Sequence, residues 1–133
     1  MNESTDKYSG MARKIDPAKG KLGVLLPGMG AVSSTPIAGV LLVNAGYSKP
    51  IGSVTQMSRI RLGKRDNPRY PFIKDFVSLS SLKDLVFGGW DIYDDNCYQA
   101  ALTCKVIDKQ ELEPIRKQLE EIKPWPAVFD AAF

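Results

Sequence analysis

The first apolar block, Lys21-Leu-Gly-Val-Leu-Leu-Pro27, follows a polar opening and predicts a strand of the kind buried on both faces. Gly28-Met29-Gly30 breaks it. A second block, from Ile37 to Ala45, predicts a helix that starts at Pro36, with Thr35 as its N-cap and Gly46 closing it. Proline is tolerated at a first helical position because its missing N–H would have had no intrahelical acceptor there. Between Pro50 and Gln56, Ile51, Ser53 and Thr55 alternate with Gly52, Val54 and Gln56, which predicts a second strand. The segment Arg59 to Pro71 is basic and turn-rich, and Phe72 to Ser78 is mixed. Asp84-Leu-Val-Phe87 predicts a third strand, stopped by Gly88-Gly89. Asp94 is the expected cap of a helix from Asp95 to Lys105, whose acidic first turn suits the positive end of the helix. Pro114 opens a last amphipathic helix with Ile115, Leu119 and Ile122 on one face, and Pro124-Trp125-Pro126 ends it.

Strands alternating with helices predict βαβ units, an α/β fold with a parallel sheet and flanking helices. Only three strands are expected where a doubly wound sheet has five or six, so the chain reads as the front portion of a larger fold. Residues 1–20 read as a polar N-terminal arm and residues 21–133 as one partial domain. The length of 133 residues, 44% apolar and 25% charged, is that of one globular domain. An open sheet edge is a liability, and self-association is expected from it. From Leu22 to Ser48 no residue is charged, a length that could span a bilayer. Pro27, Gly28, Gly30, Pro36 and Gly39 interrupt the stretch, which opposes a spanning helix, so no membrane partner is expected. The N-terminal residues lack an apolar core segment and do not read as a signal peptide.

The chain has no histidine, which removes Ser-His-Asp and Cys-His mechanisms and imidazole-held metals from its own residues. Cys97 and Cys104 fall on one predicted helix, about 10.5 Å apart along its axis by the helical rise, too far to pair. They read as reduced structural thiols. The order strand, Gly28-x-Gly30, helix fits a diphosphate loop, in which glycines allow a tight turn and free amides meet the anion. Ser33 takes the third glycine's place in the fingerprint. No acidic residue lies between Gly30 and Asp66, so the ribose acid expected about 20 residues on is missing, and a plain turn remains the alternative. Arg59, Arg61, Lys64, Arg65 and Arg69 read as a solvated loop, with a phosphate backbone or a sugar phosphate as the other reading. The net charge of +3 does not by itself imply nucleic acid, and none is expected as a partner. Asp91, Asp94 and Asp95 miss the spacing of a calcium loop; no metal is expected. Trp90 and Trp125 read as core residues.

The stretches KLGVLLPGMGAVSST, KPIGSVTQMSRIRLGKR, IKDFV and DLVFGGWDIYDDNCYQAA resemble the N-terminal region of inositol-3-phosphate synthase, also called myo-inositol-1-phosphate synthase, in its bacterial form. The resemblance runs from Lys21 to Phe129. It implies a Rossmann-like NAD-binding domain, incomplete in this chain. It also implies the cytoplasmic, homotetrameric enzyme that converts D-glucose 6-phosphate to 1D-myo-inositol 3-phosphate, for inositol and phospholipid synthesis. NAD oxidises carbon 5 of the sugar, an aldol closure follows, and the hydride is returned. Carried over by position, Gly28, Gly30, Ala31, Val32 and Ser33 match the phosphate-cradling loop, and Asp91 matches the acid facing the adenosine ribose, with Ile92 beside it. The missing ribose acid would thus follow a later strand. No catalytic residue matches within the chain, and the isolated chain is expected to be inactive; a stand-alone, non-catalytic nucleotide-binding module is the alternative.

Overall fold

The computed structural model describes residue 16 and residues 19–128. The polar arm expected over 1–20 lies almost wholly outside the described residues, as does the end of the chain from 129. The elements run β1 (Leu22–Pro27), α1 (Ala31–Asn44), α2 (Val54–Met57), β2 (Leu62–Lys64), β3 (Asn67–Arg69), α3 (Ile73–Phe76), β4 (Leu85–Asp91), α4 (Cys97–Cys104), α5 (Lys109–Leu112), α6 (Arg116–Glu121) and β5 (Trp125–Pro126). Short 3₁₀ turns precede β4 at Leu82–Asp84 and α6 at Glu113–Ile115. β1, β4 and β5 form a parallel sheet in the order β1-β4-β5, and β2 and β3 form a separate antiparallel hairpin. This is the expected α/β architecture of a parallel sheet with helices.

The helices cover one face of that sheet. Met29, Ile37, Ala38, Cys97, Tyr98, Ala101, Leu112, Ile115 and Leu119 form the buried core, and Leu26 and Phe87 reach it from the sheet. Successive strand residues point to opposite faces, so Leu25, Val86, Trp90 and Trp125 point away from the core, and each is 40% exposed or more. β1 is therefore covered on one face here, not two. The two tryptophans are not core residues either; their rings meet on the sheet's other face, centroids 5.3 Å apart.

Several local expectations are corrected. α1 begins at Ala31 with Gly30 as its N-cap, and Pro36 sits inside it. Thr35 is not the cap; its hydroxyl donates to the Ala31 carbonyl at 2.7 Å. Pro36 removes the N–H that would meet the Val32 carbonyl, but the turn is held through it by burial of Ser33, Ser34, Ile37 and Ala38. The far end closes as expected. Gly46 has φ +82°, its amide donates to Val43 and that of Tyr47 to Leu42, the double bond pattern that a glycine after a helix permits.

The strand expected over Pro50–Gln56 is absent. Ser53 donates to Pro50, and Gln56 and Met57 donate back to Ser53, which winds the segment into a turn and α2. Ile51 is 81% exposed, so the alternation had no face to bury. In the basic segment, the β2–β3 hairpin keeps Arg61, Lys64, Arg65 and Arg69 in solvent. Arg59 is internally engaged: it donates to the Tyr70 carbonyl at 2.7 Å and lies 3.9 Å over the Phe72 ring.

β4 is not stopped by Gly88-Gly89 but runs through them to Asp91. A Cβ at Gly89 would lie 2.1 Å from the Leu26 carbonyl oxygen and 2.9 Å from Met29 sulfur, and one at Gly88 would lie 3.1 Å from the Trp125 ring. These glycines exist for close approach, not for a turn. The cap of α4 is Asn96 rather than Asp94: its side chain accepts from the Gln99 amide while Gln99 accepts from the Asn96 amide. The helix starts at Cys97, without acid in its first turn. Ile115, Leu119 and Ile122 do share the core-facing side of the last helical stretch. Pro124-Trp125-Pro126 does more than end it, since Trp125 and Pro126 pair with Trp90 and Asp91. Cys97 and Cys104 are both free thiols, as expected.

Candidate functional site

β1 and β4 run side by side, with Pro27 paired to Trp90, so both carboxyl ends finish at one rim of the sheet. Open α/β sheets bind ligands at that rim. The loop leaving β1 turns at Gly28, whose φ of +88° lies in the region glycine occupies without strain. Its amide donates to the Trp90 carbonyl at 2.7 Å. The next amide, Met29, donates to Asp91 Oδ2 at 2.6 Å, and the Tyr93 amide donates to Asp91 Oδ1 at 3.1 Å.

α1 follows at once. Ser33 and Ser34 amides donate to the Gly30 carbonyl, at 3.2 and 2.9 Å. The amides of Ala31 and Val32 precede any intrahelical acceptor, and they carry the positive end of a helix without charged residues. Val32 is 87% exposed, so this end is open. The Ser33 hydroxyl donates inward to the Gly28 carbonyl at 2.5 Å.

The Asp91 carboxyl is held below its ordinary range, first by the Met29 amide; burial opposes this, and the Tyr93 and Ile92 amides add to it. An ionised carboxylate offers about four acceptor positions, and the bonds from the Met29 and Tyr93 amides use one on each oxygen. Acceptor capacity remains for hydroxyls. Beside Asp91 lies a cavity of about 170 Å³ lined by Met29, Gly30, Tyr93, Ala100, Thr103 and Cys104 among others.

The structure thus brings Gly28, Gly30, Ala31, Val32, Ser33 and Asp91 to one rim, with Ile92 beside them and 54% exposed. Asp94 and Asp95 follow in the same turn but do not cap α4. Among the described residues no His, Cys, Asp and Glu cluster is arranged to hold a metal. Likewise no described helix is long and apolar enough to cross a membrane. Sequence reasoning missed Met29, which is 1% exposed and joins the loop to Asp91, and Gly89, which lets Met29 lie there. The repeated glycine before Trp90-Asp91 was the available signal, and it reads equally well as a strand terminator.

A family model described as myo-inositol-1-phosphate synthase, and named for NAD binding, matches residues 22–133. The chain belongs to that family. It is 47% identical over 121 residues to inositol-3-phosphate synthase 1 of Bacteroides thetaiotaomicron, covering 90% of this chain and 28% of that protein. It is 36% identical over 132 residues to isozyme 1 of Arabidopsis thaliana, covering 90% of this chain and 26% of that one. The crystal structure of inositol-3-phosphate synthase from Caenorhabditis elegans superposes with a TM-score of 0.69 at 30% identity, over 86% of this chain and 25% of that chain. The chain therefore spans about a quarter of the length of these relatives, and it corresponds to the family's NAD-binding region.

Proposed function

We propose that this chain is the cofactor-holding part of an inositol-3-phosphate synthase, the enzyme that turns D-glucose 6-phosphate into 1D-myo-inositol 3-phosphate. Residues 21–133 form its partial Rossmann-like unit. The observation that carries the reading is the meeting of two sequence-distant features at one rim: the open start of α1 and the Asp91 carboxylate, linked through Met29. Their chemistries are complementary to the two parts of a dinucleotide. Backbone donors at Gly30, Ala31 and Val32 suit the diphosphate. Asp91, an acceptor only when ionised, suits a ribose diol, and the cavity beside it, lined by Tyr93, Ala100 and Thr103 among others, suits the adenine, with Ile92 next to the acid in the chain. Gly28 and Ser33 shape the loop.

When bound, NAD supplies reversible hydride transfer to the sugar. The described residues bind and orient the cofactor and exclude water beneath it with Met29 and the α4 face. None of them is assigned to the ring closure. A homo-oligomeric, cytoplasmic enzyme accords with this reading.

Isothermal titration of NAD into the chain tests it. The expected result is saturable one-site binding that Asp91→Ala weakens by about 10- to 100-fold, the scale of a charge-assisted hydrogen bond. Unchanged affinity in that variant, or no binding by the parent chain, overturns it.

A further inference from the structure

Ser33 occupies the place of the fingerprint's third glycine, yet it is not a bystander in the packing. It is 7% exposed, and its hydroxyl donates to the Gly28 carbonyl at 2.5 Å. The loop between β1 and α1 is tied at two further points, from the Gly28 amide to the Trp90 carbonyl at 2.7 Å and from the Met29 amide to Asp91 Oδ2 at 2.6 Å. The peptide between Gly28 and Met29 is thus held on both sides: its carbonyl by Ser33, its amide by Asp91.

We propose that Ser33 is a positioning residue rather than a ligand of the diphosphate. A hydroxyl has one proton to donate. Spent on Gly28, it leaves lone pairs, which repel phosphate oxygens rather than bind them. What the bond does achieve is orientation. Gly28, at φ +88°, is where the loop turns, and fixing its carbonyl fixes the direction in which Gly30, Ala31 and Val32 present their amides. A glycine at position 33 would allow the close packing but could not supply this tie. The same arrangement makes the Gly28 and Met29 amides scaffold, leaving the cradle to the next three. The inference rests on the dinucleotide reading above.

The test uses ¹H–¹⁵N spectra of the chain without ligand, together with NAD titration, for the parent chain, Ser33→Ala and Ser33→Thr. In Ser33→Ala the Met29 amide resonance moves in the ligand-free spectrum, because its peptide carbonyl loses a donor, and the NAD Kd rises about five- to tenfold, the scale of one internal hydrogen bond. Ser33→Thr, which keeps the hydroxyl, restores both. Weakened NAD binding with an unmoved Met29 resonance makes Ser33 a direct ligand and overturns the proposal. So does a moved resonance with NAD affinity unchanged. If the parent chain fails to bind NAD, the dinucleotide reading falls, while the ligand-free shift in Ser33→Ala still decides the Ser33–Gly28 tie.

Discussion

The Met29 amide donates to Asp91 Oδ2 at 2.6 Å across 62 positions of sequence. That bond makes the carboxylate part of the loop's own framework as well as a group free to meet a ligand. A like-shaped Asn cannot reproduce it fully, since one of the two carboxylate acceptors becomes a donor facing an amide.

The bond has a consequence for pH. The folded chain favours ionised Asp91, so its carboxyl titrates below the value it has in the unfolded chain, chiefly because of the Met29 amide. A depressed carboxyl contributes stability that is present above the unfolded value, about pH 3.9, and is lost as pH falls through the lower folded one. Urea midpoints measured from about pH 6 downward are expected to fall more steeply below about pH 4 in the parent chain than in Asp91→Asn. Parallel curves would mean the bond is absent in solution.

Gly89 and Gly88 are neighbours with unequal tolerance. A Cβ at Gly89 meets the Leu26 carbonyl oxygen at 2.1 Å, and backbone cannot swing aside. At Gly88 the obstacle is the edge of the half-exposed Trp125 ring, at 3.1 Å, which can. Gly89→Ala is expected to destabilise by about 3 kcal/mol or more and to displace Met29, lowering NAD affinity as well; Gly88→Ala costs about 1 kcal/mol or less. Thermal melting of the two variants checks the order, and equal losses would contradict it.

Much of this site was legible in the sequence because its parts are local: an apolar run, paired glycines and a long uncharged helix. The resemblance supplied Asp91, which spacing alone placed out of reach. What the sequence pattern concealed depended on neighbours in space. Gly88-Gly89 looks like a terminator until Trp125 and Met29 are seen against it. Pro36 looks like a helix start until the burial of Ser33 and Ser34 before it is known. Trp125-Pro126 has no strand signature of its own, and its pairing with β4 is visible only in three dimensions. Ile51, Ser53 and Thr55 mimic a strand, but no sheet receives them.

The two thiols are expected to behave differently. Cys97 is fully buried, and burial pushes its thiol up to about 11. Cys104, at the other end of α4, is half-buried and lines the cavity beside Asp91. At about pH 8 the thiolate is the reacting species, so an aromatic disulfide reagent should modify Cys104 in the native chain and Cys97 only after unfolding. NAD should slow the modification of Cys104, as judged by mass spectrometry of labelled peptides. Equal labelling of both in the native chain would show that α4 does not shield Cys97.

Leu119 is fully buried and Ile51 is 81% exposed, and the pair separates structural cost from sequence appearance. Leu119 is fully buried in the core with Cys97, Tyr98 and Ile115, and it sits on α6, the helix that leads into β5. Leu119→Ala removes that packing and leaves a cavity, at a cost of about 2–5 kcal/mol. Because β5 pairs with Asp91 and the Ala127 amide donates to the Asp91 carbonyl at 2.8 Å, loosening of the last helix also reaches the acid. Ile51 looks equally hydrophobic in sequence but is 81% exposed, so Ile51→Ser should change stability by no more than about 0.5 kcal/mol. Denaturant titrations distinguish the two, and an Ile51→Ser loss comparable to that of Leu119→Ala would mean that residues 50–56 are packed in solution as the strand their alternation suggests.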